Sequence, residues 1–193
     1  MNTLIDLVGV NQELLIYLAI DITIAIILLG AMRFLLGLTS QVNSTEELAK
    51  KDNFAFGVSV AGSTLALGIV LTGAIAGENA ESYMMEVIGM LAYGGYGLAL
   101  IKVGRIIQDK VALQHLNKTE LIKDQNLSVG IIDAAGAIAT AIIIRAVLLW
   151  VDGLNVSTFI AITSGFIVAQ AVLVLATRIR EKKYANNNQK DCL

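Results

Sequence analysis

An all-α polytopic membrane protein with five transmembrane helices is the fold class this sequence predicts, on three observations. Of 193 residues 56% are hydrophobic and only 16% charged, with no proline, whereas soluble domains carry about a quarter charged residues. Mean hydropathy is +0.72. The apolar residues also gather into runs of the roughly 20 residues that a helix needs to cross a bilayer, with short polar stretches between them.

The first run extends from Leu14 to Leu38, after a short N-terminus (residues 1–13) containing Asp6 and Glu13 but no cation. Lacking a positive n-region, that segment does not read as a cleavable signal. The second run covers Phe54 to Gly77 and the third Tyr83 to Ile107. A basic loop, residues 108–125, leads to the fourth run, Leu127 to Val151, and the fifth, Val156 to Thr177. The tail from residue 181 to 193 is polar and reads as disordered.

Orientation follows from the cations, because cytoplasmic loops are enriched in lysine and arginine. Lys50 and Lys51 follow span 1, and Lys102, Arg105, Lys110, Lys118 and Lys123 surround the loop after span 3. Arg178, Arg180, Lys182, Lys183 and Lys190 follow span 5. These all belong to one side, while the stretches "GENAES" and "VDGLN" on the other have none. The N-terminus is therefore expected outside and the C-terminus inside.

One stretch is written twice. "ELAKKDNFAFG", from Glu47 to Gly57, returns as "ELIKDQNLSVG", from Glu120 to Gly130. The 73-residue offset implies two parallel two-helix repeats, residues 14–107 holding the first and 126–180 the helices of the second, related by an axis along the membrane normal. Asn53 and Asn126 stand where helix N-caps belong. Glu47 with Lys50, and Glu120 with Lys123, can share a helical face. A capped interfacial elbow is the principal reading of this motif, and a paired cytoplasmic gate or docking site the sharper alternative.

With these residues in view, "TEELAKKDNFAFGVSVAG" followed by "LALGIVLTGAIAG" resembles the YjfL-like bacterial inner-membrane proteins, the domain of unknown function 350 family. The resemblance implies a bacterial inner (plasma) membrane, two-span units and a link to envelope stress, and carries no established activity with it. Such proteins usually have four helices, and five are counted here.

Charged groups inside spans cost about 2.5 to 3.5 kcal/mol on insertion scales, so each needs a reason. Asp21 and Arg145 fall on the outer side of their span centres and are expected to form an intramembrane ion pair. Asp133 falls on the inner side and is the candidate ion or proton site, with Thr140 two turns along the same face; a carboxyl bonded to a neighbouring span is the equal alternative. Gly57, Ala61, Thr64 and Gly68 form a small-residue stripe, continued by Gly73 and Gly77, that reads as a helix-packing surface. Gly94, Gly95 and Gly97 mark the expected bend in span 3, where Gln170 could reach Tyr93 or Tyr96.

Catalysis is not expected, since no nucleophile and base are assembled. His115 is the only histidine and Cys192 the only cysteine, so no metal site, disulfide or cofactor is expected, and the basic residues read as topology rather than nucleic-acid binding. Two functions follow: a homo-oligomeric ion channel or small-solute transport module centred on Asp133, or a non-transporting scaffold that recruits a cytoplasmic protein partner through residues 108–125.

Overall fold

The computed structural model describes residues 12–39, 44–76, 82–112, 118–151 and 153–190. His115, Cys192, Gly77 and most of "GENAES" lie outside them. The described residues form helices without a strand: α1 (Gln12–Thr39), the short α2 (Ser44–Ala49), α3 (Phe54–Ile75), α4 (Tyr83–Ile107) continued by a π turn (Gln108–Ala112), the short α5 (Lys118–Lys123), α6 (Leu127–Leu148) and α7 (Val156–Lys190). Five helices are long and apolar enough to cross a bilayer. The expected disordered tail is replaced, as far as Lys190, by a continuation of α7. Polarity alone does not end a helix, and "REKKYA" holds good helix formers with no proline or glycine to stop it.

The surface and interior are distributed as lipid requires. Leu18, Ile26, Phe34, Leu65, Ile142, Ile167 and Leu175 are exposed, while Ser59, Ser63, Asp133, Thr140 and Gln170 are buried. Helices satisfy their own backbone, so large apolar side chains can face hydrocarbon and polar ones turn inward. The core between them contains Leu67, Val70, Met90, Ile101, Ile144, Ile162 and Phe166.

Close contacts give the helix directions. Ser59 meets Asp133, Gly62 abuts Ala134 and Thr72 meets Arg145, so α3 and α6 lie side by side pointing the same way. Tyr17 meets Tyr83 and Leu28 packs against Gly94, which makes α1 and α4 co-directional. Tyr96 with Thr163 and Gly104 with Gln170 do the same for α4 and α7.

The α3–α6 seam does not use the expected stripe. Ala61 is exposed, and a Cβ on Gly68 would meet nothing. The seam is made instead by Ala55, Ser59, Gly62, Ala66 and Gly73, all buried. A side chain at Gly62 would overlap Ala134, and one at Gly130 would overlap the Ala55 carbonyl. Small residues lie on more than one face of α3, so spacing alone picked a neighbouring face. Of the expected packing residues, Gly73 is in contact, against Arg145 and Leu148.

The α4 helix is continuous through Gly94, Gly95 and Gly97, where a bend was expected. Gly94 admits Leu28 and Leu71, and Gly97 admits Val70. These two glycines therefore serve close helix contact. The irregularity comes later, in the π turn at Gln108–Ala112, a form often found at functional sites.

Candidate functional site

Asp133 sits six residues into α6, about 9 Å from its start, with its side chain wholly buried. The Arg105 guanidinium grips it with two prongs: Nη2 donates to Oδ2 at 2.6 Å and Nε to Oδ1 at 3.1 Å. Lys118 Nζ contacts Oδ1 from the side of the basic loop and also reaches Asp109 Oδ1 at 2.5 Å. Ser59 completes the shell by donating to Oδ2, while its oxygen accepts from Arg105 Nη2 at 3.1 Å. Ser63 accepts from Arg105 Nη1 at 3.2 Å.

Two cations thus face two carboxylates, and the cluster is formally neutral. An isolated charge in this position would carry a penalty of several kcal/mol, which only close pairing and hydrogen bonding offset. Removing one partner leaves the others as uncompensated buried charge. Asp109, with its side chain 38% exposed, is the most exposed member of the cluster. Four segments converge here: α3 supplies the serines, α4 and its π turn supply Arg105 and Asp109, α5 supplies Lys118 and α6 the carboxylate.

Thr140 does not join this group. Its hydroxyl donates to the Gly136 carbonyl at 2.9 Å and accepts from Gln170 Nε2 at 2.8 Å. That bond occupies Gln170, expected near the tyrosines. Tyr96 instead shares a 2.7 Å bond with Thr163, and Tyr93 donates to the Gly153 carbonyl at 2.6 Å. Polar pairs therefore succeed one another along the α4–α6–α7 junction, and Gln170 Oε1 is enclosed there without a hydrogen-bond partner.

The expected Asp21–Arg145 ion pair does not form. Arg145 Nε donates to Thr72 Oγ1 at 2.9 Å, because the α3–α6 seam brings the hydroxyl directly beneath it. Asp21 is buried on the other side of the bundle, where α1 packs against α4, and its Oδ1 is enclosed without a hydrogen-bond partner.

The motif residues divide by unit. Asn53 Oδ1 accepts from the Phe56 amide at 3.0 Å, and Asn126 Oδ1 from the Val129 amide at 3.4 Å, so both cap their helices. Asp52 and Gln125, one residue before each cap, both take positive φ, 45° and 60°. Asn53 does more than its counterpart: its Nδ2 donates to Glu47 Oε2 and to the Ile122 carbonyl, both at 2.9 Å. Gln125 returns a bond to the Lys51 carbonyl at 3.1 Å. Glu47 pairs with Lys51 at 2.8 Å rather than with Lys50, since four residues align side chains on a helix more closely than three. Hydrogen bonds from Lys51, then Asn53, hold the Glu47 carboxyl below its ordinary range. Glu120 and Lys123 are exposed, and Gly57 lets Leu48 approach.

Sequence reasoning missed Arg105, Lys118, Asp109 and the two serines as site residues. Arg105 and Lys118 were counted as topology signals, which hid their second use. Ending span 3 at Ile107 placed Arg105 at the membrane edge, two residues from the end. With the π turn added it lies seven residues from Ala112, about the same depth as Asp133. Matching depths of an arginine and an aspartate on packed helices is the signal that could have found the pair.

The family described as Domain of Unknown Function (DUF350) matches residues 9–148, a range that contains the whole Asp133 cluster. The chain is also 26% identical over 133 residues to a protein of Aquifex aeolicus (strain VF5) named UPF0719 transmembrane protein. That alignment covers 69% of this chain and 49% of the relative, so the chain spans about half the relative's length. No solved structure matches.

Proposed function

The chain belongs to the DUF350 family of multi-pass membrane proteins, and from that premise we propose that it is an ion-handling module of a bacterial inner membrane in which Asp133 is the controlling carboxylate. The observation that carries this reading is the set of groups around Asp133: a carboxylate with no exposed surface, gripped by Arg105 and Lys118. Packing alone is served as well or better by apolar side chains, so a buried charge cluster is an expensive way to hold helices together. It is suited to a site whose occupancy changes, because releasing either cation frees a carboxylate to take a proton or a passing cation. Thr140, bonded to Gln170, is a separate polar step farther along α6.

In this arrangement Arg105 and Lys118 hold the site shut and Asp109 is its connection to the basic loop. Assembly of several copies, each presenting α6 to a shared path, is the form in which one carboxylate per chain would serve conduction. Residues 108–125 as a recruiting surface for a cytoplasmic protein partner are less favoured. Lys118, which that reading needs outward, is 5% exposed and turned onto Asp109 and Asp133.

The test is ion flux in proteoliposomes. Asp133→Asn is expected to change flux of protons or monovalent cations at least tenfold while the helix content stays that of the wild type. The double variant Asp133→Asn with Lys118→Gln restores neutrality and serves where the single change misfolds. Flux identical to wild type in a folded variant removes Asp133 from the proposal.

A further inference from the structure

The π turn that follows α4 packs against α7, and the two leave a groove of about 360 Å³ between them. Ile107 and Val111 form one wall and Ala171, Val174 and Leu175 the other. Val111 and Leu175 are exposed, so the groove opens toward lipid. Gln170 lies at its inner end, with Nε2 bonded to Thr140 at 2.8 Å, and Arg178 lies at its mouth.

The dimensions are those of one leaflet. Gln170 and Arg178 are eight residues apart on α7, about 12 Å along its axis. Arg178 is ten residues from Val168, the middle of the Val156–Arg180 span, or about 15 Å. Half of a roughly 30 Å hydrocarbon core is the same distance, so the guanidinium stands at headgroup level and the apolar walls run alongside acyl chains.

The cation is also held in place. Arg178 Nη2 donates to the Val111 carbonyl at 3.2 Å, which ties the guanidinium across the mouth of the groove. That bond uses one of the five donors of a guanidinium, whose planar fork matches the geometry of a phosphate. Lys110, one residue before Val111, is exposed at the same end. The larger groove along α1, lined by Leu15, Ile20 and Val87 among others, has no charged residue in its lining. It offers nothing by which one headgroup would differ from another.

We infer that the groove between the π turn and α7 binds one anionic phospholipid, with its phosphate on Arg178 and an acyl chain between Val111 and Leu175. Complementary charge selects the headgroup. In phosphatidylcholine the phosphate is already balanced by the choline cation, whereas in phosphatidylglycerol it is not, and a cation at the membrane surface favours the second. The site is independent of the Asp133 reading and stands or falls by different variants.

Native mass spectrometry of the detergent-purified protein, incubated with phosphatidylglycerol or phosphatidylcholine of identical acyl chains, tests it. The wild type is expected to retain one phosphatidylglycerol per chain, roughly fivefold more than phosphatidylcholine, the scale of one cation at a lipid surface. Inorganic phosphate at the same concentration should not compete. Arg178→Gln should bring the two lipids to parity, whereas Arg180→Gln, the same charge change about 200° round the helix, should keep the preference. Ala171→Trp, at an exposed position, should fill the groove and lower retention of both lipids, and it decides the matter where Arg178→Gln does not fold. Equal retention of the two lipids by the wild type, or equal loss of preference in both arginine variants, overturns the proposal. Competition by inorganic phosphate overturns it in favour of a free-anion site. Unchanged lipid retention in Ala171→Trp, with fewer chains per particle, overturns it in favour of an interface between copies.

Discussion

Asn53 and Asn126 occupy the same place in a repeated motif, yet their surroundings assign them unequal weight. Asn53 is 2% exposed and bonds to Phe56, Glu47 and Ile122, tying α2, α3 and α5 together. Asn126 is exposed and has one long bond to Val129. Losing an exposed cap costs about 1 kcal/mol, whereas losing a buried group that holds three partners also strands those partners. Asn53→Ala is therefore expected to destabilise by about 2 to 4 kcal/mol and Asn126→Ala by about 1 kcal/mol. Unfolding in mixed micelles measures both, and equal losses would contradict the assigned asymmetry. The caps were legible in the sequence because capping is local, needing only an asparagine before an apolar run. The asymmetry was not, since Ile122 reaches Asn53 across 69 residues.

At the scale of helices, α3 and α6 approach so closely that a single Cβ decides whether they fit. Gly62 lies against Ala134 and Gly130 against the Ala55 backbone, while Gly68 faces open space. Gly62→Leu and Gly130→Val should each cost several kcal/mol, as overpacking against backbone allows little relief, and should lower the yield of folded protein. Gly68→Leu should be tolerated, with a melting temperature close to wild type. Thermal melts of the three variants side by side check the assignment of the seam, and a damaging Gly68→Leu with a harmless Gly62→Leu would reverse it. Helix existence was legible, because hydropathy runs of bilayer length have one physical reading. Helix facing was not: with small residues on several sides of α3, the stripe through Ala61 and Gly68 and the one through Ala55 and Gly62 look alike without the partner helix. The π turn was equally invisible, having no breaker residue to mark it, and with it went the depth of Arg105.

For the whole molecule, the directions of the helices and the placement of cations make one further commitment. The α1, α4 and α7 helices point one way and α3 with α6 the other, so the starts of α3 and α6 share an end with the Asp109 side of the Asp133 cluster. Exposed Lys50, Lys51, Lys110 and Lys123 lie at that end. The opposite end has Trp150, 89% exposed, and the Tyr17–Tyr83 pair, aromatic groups suited to a membrane interface. Lysine and arginine resist translocation, so the lysine-bearing end should stay cytoplasmic and the Trp150 end should face out. With Cys192 replaced by serine, Leu154→Cys should react in intact cells with a maleimide that cannot cross the membrane, and Lys50→Cys should react only after the cells are opened. The reverse pattern would turn the protein over and place Asp109, Lys118 and Asp133 on the outer side. The labelling result therefore fixes the side of the membrane from which the Asp133 cluster could exchange ions.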